Sequence, residues 1–227
     1  MARIARWTCG LALFFIFLST LQVLGVRFIN PRITIPVIVH WSADKLHLAK
    51  EPFVWPKQTW RRIKDISPHL KRAVLAAEDQ RFLEHYGFDF REMYLSFQDA
   101  LATKRVRGAS TITMQTARTV FLWPSRTLPR KIFEAWYTLL LEIFWSKSRI
   151  LEVYLNTVDW GGAIMGAETA SQYYYRISAD RLNREQAAAL AAVLPAPGKW
   201  IPTRPSAFLQ NRIERILMDM NKVPLIR

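Results

Sequence analysis

An all-α domain behind one membrane-spanning helix is the fold class that the sequence predicts, and three observations predict it. The chain opens on twenty residues without a charge, Trp7 to Val26. From residue 67 onward apolar residues recur at helical spacing, and few stretches alternate with the period of a strand. The breaks between these stretches are helix signals, with Ser or Asn at the starts and Gly or Pro at the ends.

Twenty residues at about 1.5 Å each span roughly 30 Å, the hydrocarbon thickness of a bilayer. Arg3 and Arg6 precede the run, and Arg27 and Arg32 follow it. A cleaved signal peptide has a shorter apolar run and a small-residue cleavage site, so residues 1–30 read as a retained N-terminal membrane anchor. No second run of this kind follows, which makes a single-pass protein. Long domains translocate largely regardless of charge, so the amino terminus is expected in the cytoplasm. Residues 31–66 hold Pro31, Pro36, Pro52 and Pro56 among Trp41, Phe53, Trp55 and Trp60. That proline density predicts a linker and an irregular or short-strand entry segment, without a long helix.

The domain proper is expected over 67–227. Ser67 caps a helix with Pro68 in its first turn, predicted to run to Tyr86 before Gly87 stops it. Ser110 is expected to cap a helix ending near Leu122, and Pro129 to Asn156 to form two helices that meet at Ser146–Ser148. Gly161, Gly162 and Gly166 mark a loop. Asn183 and Gln186 have capping-box spacing before an alanine-rich helix that Pro195 ends. Ser206 opens a last helix with Phe208, Ile213, Ile216, Leu217 and Met220 on its inner stripe.

Composition limits the chemistry. The 32 Lys and Arg against 18 Asp and Glu leave a net charge of +14, which calls for an anionic partner: nucleic acid, a membrane surface or a phosphate-bearing substrate. The lone cysteine, Cys9, excludes an intrachain disulfide and a cysteine zinc site. With no internal period, solenoids and collagen are out as well.

Three groups of residues carry chemical interest. Leu70, Val74, Glu78 and Phe82 share one helical face, so Glu78 interrupts an apolar stripe. A carboxylate there loses water, its pKa rises, and it becomes a better proton acceptor near neutrality; a structural glutamate paired with an arginine is the alternative. His85 falls on that face as a core histidine, and Asp79 points elsewhere. Next, Ser110, Thr111, Gln115 and Arg118 gather at one helix start, where unpaired N–H groups, hydroxyls and a cation suit a phosphate, or simply a cap. Last, Arg130, Lys131 and Glu134 sit on an otherwise apolar helix, as a salt bridge or a charged site.

Together these groups make a set. A-A-E-D-Q-R-F-L-E-H-Y-G-F-D, residues 76–89, resembles the E-D-x-x-F-x-x-H-x-G signature of the family 51 peptidoglycan glycosyltransferases. G-A-S-T-I-T-M-Q, the end of the run that begins at Arg107, resembles their second motif, R-K-I-F-E their third, K-S-R-I-L-E-V-Y-L-N (147–156) their fourth and E-Q-A-A-A-L-A-A-V-L-P-A-P-G (185–198) their fifth. The five stand in the family's order over roughly 65–205, and with no transpeptidase region after them the likeness is to its monofunctional members. The resemblance implies a lysozyme-like two-lobed domain, head and jaw, in which the jaw contacts the membrane and draws on residues 88–106. It implies polymerisation of lipid II in a bacterial inner membrane, with the domain on the periplasmic side. There a GlcNAc 4-hydroxyl attacks the pyrophosphate-linked MurNAc anomeric carbon with inversion, and undecaprenyl pyrophosphate leaves. Glu78 would be the base; Glu134 would orient or stabilise the donor side. Asp79, Ser110, Thr111, Gln115, Arg118, Arg130 and Lys131 would bind substrate.

No cofactor is implied as a requirement; a divalent cation, magnesium or manganese, at the pyrophosphate stays open. The implied partners are lipid II, the growing glycan strand and the membrane, with other wall-synthesis or division proteins left open and no nucleic acid. Three positions depart from the family pattern: Arg118 where lysine is usual, Met114 for the first of two glutamines, and Arg176 in place of a turn glycine. The competing functions are a silent scaffold of the wall-synthesis complex, a lysozyme-type glycan-cleaving enzyme and a membrane-tethered polyanion binder. Removing residues 1–30 is expected to leave a folded domain.

Overall fold

The computed structural model describes residues 2–49, 51–103 and 108–226. Arg107 and the end of the predicted jaw source, 104–106, lie outside the described residues.

Helix α1 (Ala2–Phe28) contains the apolar run, and Arg6–Phe28 is long and apolar enough to cross a membrane. It also packs on the domain. Val23 is fully buried in the core, Trp136 Nε1 donates to Ser19 Oγ at 3.0 Å, and Trp145 Nε1 donates to the Val23 carbonyl at 2.9 Å. At the C-terminal end of the helix, Arg149 donates to the carbonyls of Val26 (2.8 Å) and Ile29 (3.2 Å). Cations at a helix C-terminus answer both the orphan carbonyls and the dipole. Helix α1 is therefore not an anchor alone: its C-terminal half also packs against the core of the domain.

The proline-rich lead-in differs from expectation in its first part and matches it in a short strand farther on. Residues 35–45 form helix α2 (Ile35–Lys45), because Pro36 falls in its first turn, where a missing N–H costs nothing. Farther on, β1 (Lys57–Gln58) pairs in parallel with β2 (Ile164–Met165), and Ile66 is 1% exposed. The segment from 57 to 66 is thus fastened to the domain: Asn156 accepts from Arg61 N–H, and Glu152 from Ile63 N–H.

Helix α3 (Pro68–Glu78) starts as expected on the Ser67 cap but stops eight residues early. Asp79 becomes its C-cap, and turns carry the chain to Gly87. Phe82 and His85 are therefore buried beyond the helix rather than on a common face with Glu78. Gly87 is required where it stands. Its φ is +83°, and a Cβ there would lie 2.6 Å from Thr138 Cγ2.

After α4 (Phe90–Thr103), α5 (Ile112–Phe121) is capped by Thr111, whose hydroxyl accepts from Met114 N–H, one residue later than the Ser110 expected. Helices α6 (Leu128–Phe144) and α7 (Lys147–Thr157) meet at Ser146, which caps the second. Next come α8 (Ala167–Tyr175), α9 (Arg184–Val193) with the full Asn183–Gln186 capping box, and α10 (Ala207–Asp219) capped by Ser206. On α10 the inward stripe is Leu209, Ile213, Ile216 and Met220; Phe208 is exposed and rests on Trp200 instead. The turn at Arg176 forms without glycine, with Arg176 itself left-handed at φ +61°.

Two packing groups result. Alanine-rich α9 lets α3 and α10 approach closely, and every residue from Ala187 to Val193 is buried. Helix α5 packs between α6 and α7, and α1 lies along α6. By contrast, α4 buries none of its described side chains: Phe90, Tyr94, Phe97 and Leu101 are all more than 60% exposed. A helix of this kind in water is unstable alone, and an amphipathic one suits a membrane surface.

Candidate active site

A cavity of about 500 Å³ lies where the end of α3, the start of α5 and α10 converge. Its wall includes Glu78, Asp79, Ser110, Thr111, Gln115 and Arg118, so six of the sequence-derived candidates come together there.

Glu78 is the last residue of α3, and 14% of its side chain is exposed. Burial raises its pKa, opposed by a hydrogen bond from Gln115 and by the charges of Arg212 and Arg118. Its place at a helix C-terminus pushes the same way as burial, because the dipole there disfavours an anion. Gln115 Nε2 donates to Glu78 Oε2 at 3.0 Å and also reaches the Ser110 carbonyl at 3.4 Å. On the far side of that amide, the Tyr154 hydroxyl donates to Gln115 Oε1 at 3.4 Å. The tyrosine, 2% exposed, thereby fixes which end of the amide faces the carboxylate. A glutamate so placed keeps one polar edge toward the cavity and can take a proton from a hydroxyl there.

Arg212 was not singled out in the sequence. Its Nη2 is 3.5 Å from Glu78 Oε1, and its Nε donates to the Ala192 carbonyl at 3.1 Å. No local signal marks it: it occupies the polar flank of an ordinary amphipathic helix. Tyr154 was visible only as part of the fourth motif.

Asp79 does a different job from its neighbour. Oδ2 accepts the Ile112 N–H at 2.9 Å, and Oδ1 lies 2.9 Å from His85 Nε2. Thr111 is likewise engaged, donating to the Gly87 carbonyl at 2.6 Å while capping α5. Both side chains thus hold the first turn of α5 against the end of α3. Arg118 has no hydrogen-bond or ion-pair partner among the described residues and faces the cavity half-buried. Met114, by contrast, is 4% exposed in the core and does not line this cavity, so its departure from glutamine takes nothing from the wall.

The third group is elsewhere. Glu134 is fully buried, and both Arg130 and Lys131 pair with its carboxylate. None of the three lines this cavity or its neighbour. That neighbour, about 600 Å³, shares Gln115 and Arg118 with the first and continues beneath α2 and residues 51–56. Among the described residues no three of His, Cys, Asp and Glu converge as a ligand set for a metal ion.

A carboxylate with a raised pKa beside an uncommitted guanidinium, in one cleft, suits proton removal at a hydroxyl with an anion leaving nearby. Comparison with known proteins identifies the family. The family profile described as Transglycosylase matches residues 47–221. Proteins named biosynthetic peptidoglycan transglycosylase are similar over most of their length. That of Bacteroides thetaiotaomicron is 44% identical, covering 98% of this chain and 88% of its own. The Ectopseudomonas mendocina protein is 43% identical (90% and 84%), and the Shewanella oneidensis protein 40% (97% and 93%). The chain belongs to the transglycosylase family and is a peptidoglycan glycosyltransferase.

Proposed function

We propose that the cavity joins lipid II units by direct displacement, with Glu78 as the base. The acceptor GlcNAc 4-hydroxyl gives its proton to a Glu78 oxygen as its own oxygen bonds to the MurNAc anomeric carbon. The bond from that carbon to the pyrophosphate breaks, the pyrophosphate keeps the electron pair, and the configuration inverts. Supporting this reading most directly is the shared cavity of Glu78 and the uncommitted Arg118. A sugar hydroxyl needs a base, and a departing pyrophosphate needs a fixed cation. Gln115 and Tyr154 orient the base, and Ser110 offers a hydroxyl to the sugar or phosphate. Asp79 and Thr111 act by holding α5 in register. Arg130, Lys131 and Glu134 form an ion-paired cluster on α6 outside both cavities. Any divalent ion would be carried by the pyrophosphate oxygens.

In this reading α1 anchors the chain in the bacterial cytoplasmic membrane, with the amino terminus inside, the domain on the outer side, and α6 lying against the C-terminal half of α1. Lipid II in that bilayer is the substrate, and the exposed face of α4 rests in the lipid. Release of undecaprenyl pyrophosphate tests the reaction type. A transferase liberates one per linkage formed. A glycan-cleaving enzyme liberates none from lipid II, and a silent scaffold leaves the substrate untouched.

A further inference from the structure

We infer that the second cavity is a lateral portal for a polyprenyl pyrophosphate: the isoprene units nearest the phosphate pass beneath α2 and residues 51–56 on their way to Arg118. The inference deepens the reaction proposed above and rests on it.

Position is the first argument. Helix α2 starts at Ile35, just beyond the end of α1 at Phe28, so a chain anchored by α1 holds α2 at the bilayer surface. The outer face of α2 agrees, because Ile35, Ile38 and Trp41 are exposed there, as are Ile29 and Ile33 before it. Exposed aliphatic and tryptophan side chains in that location are stable in the interfacial region of a bilayer. The inner face of the same helix, Pro36 and Val37, forms the cavity wall.

Chemistry is the second. Phe53, Val54 and Trp123 extend the apolar wall, while at the inner end Gln115 and Arg118 belong to both cavities. A passage that is apolar toward the membrane and cationic toward Glu78 matches a molecule with an isoprenoid chain at one end and a pyrophosphate at the other. The carboxylates on the wall do not oppose this: Asp159 is occupied by the Gly161 N–H, and Glu51 is exposed. Thr34, also on the wall and 1% exposed, has a buried hydroxyl with no partner among the described residues, a polar atom available to a ligand.

A competing route is α4, another apolar surface of the domain. Its contribution to either cavity is Glu92 alone; Phe90, Met93, Tyr94 and Phe97 line neither. That helix can rest in lipid, but its apolar side chains do not lead to Glu78.

The test is photolabelling of the full chain in phospholipid vesicles by lipid II carrying a diazirine on the isoprene next to the pyrophosphate. Peptides are then mapped by mass spectrometry. Label within 34–41, within 51–56 or on Trp123 is expected; label confined to 90–101 overturns the portal. Polymer is scored in the same vesicles. Polymer with label on α4 alone refutes the portal and leaves the reaction standing, whereas label on α2 without polymer upholds the portal and refutes the reaction. Two substitutions give a kinetic check, Val37→Trp to fill the passage and Val54→Glu at a position 67% exposed that the fold tolerates. Each should lower the ratio of kcat/KM for geranylgeranyl over dimethylallyl lipid II by about tenfold, because the second lacks most of the isoprene units that fill the passage and each buried methylene is worth about 0.8 kcal/mol. An equal loss on both substrates contradicts the proposal.

Discussion

Replacing Gln115 by methionine keeps the length of the side chain but removes the donor that sits 3.0 Å from Glu78 Oε2. That bond lowers the Glu78 pKa against the burial that raises it, so its loss lets the pKa rise further. A base works only when ionised, and the acid limb of the pH–rate profile therefore moves to higher pH. A hydrogen bond to a charged group is worth about 1.5–3 kcal/mol. Each ~1.4 kcal/mol is a factor of ten, which makes the variant about ten- to hundredfold slower at the acid end. The gap should narrow as pH rises and Glu78 ionises in both proteins. Tyr154→Phe, which frees the Gln115 amide to turn, should move the limb the same way by less. The assay is kcat/KM for lipid II polymerisation across pH, with Tm measured alongside. A rate ratio that is constant at every pH would refute the reasoning, because it would mean that Gln115 acts on something other than the ionisation of Glu78.

Three further outcomes concern the scaffold. Glycine at Arg176 relieves a left-handed φ of +61°, so Arg176→Gly should raise stability by about 0.5–1 kcal/mol in thermal melts. For Glu168, 3% exposed, burial acts to raise the pKa, but Arg61, the Ala179 N–H and Gln172 together hold it below the ordinary value of 4.5. A depressed carboxylate stabilises above its unfolded pKa and loses that contribution as pH falls through the folded one. Glu168→Gln should thus cost about 2 kcal/mol at neutral pH, a difference that vanishes in acid; a pH-independent difference would point to packing instead. Finally, deleting residues 1–30 takes Val23 out of the core and uncovers Trp136, Tyr137 and Trp145, and the truncated chain should melt lower in detergent than the full one. An unchanged Tm would mean that α1 contributes nothing to the fold.

Local signals in the sequence located most helices because the physics that sets their ends is local. Ser67, Asn183 and Ser206 each cap the helix they were expected to cap. Where expectation and structure part, a long-range contact decides. Nothing between Glu78 and Tyr86 breaks a helix, yet Asp79 is pulled out of helical geometry to accept the Ile112 N–H, 33 residues away. The same contact makes the site, since it sets the start of α5 against the end of α3 and brings Gln115 to Glu78. Pro36 was read as a breaker although a first-turn proline serves a helix as well as it ends one. Arg212 reaches Glu78 from 134 residues away in sequence, and spacing cannot show that. Arg130, Lys131 and Glu134 show the converse: their proximity in sequence was legible, but their burial away from both cavities was not.

The most direct test compares the full chain with its Glu78→Gln variant on labelled lipid II, sizing the products before and after muramidase. The account predicts muramidase-sensitive polymer from the first and a rate at least about a hundredfold lower from the second, at equal Tm. Polymer made at a near-normal rate by Glu78→Gln would contradict it, and the base would have to be sought among other residues of the cleft.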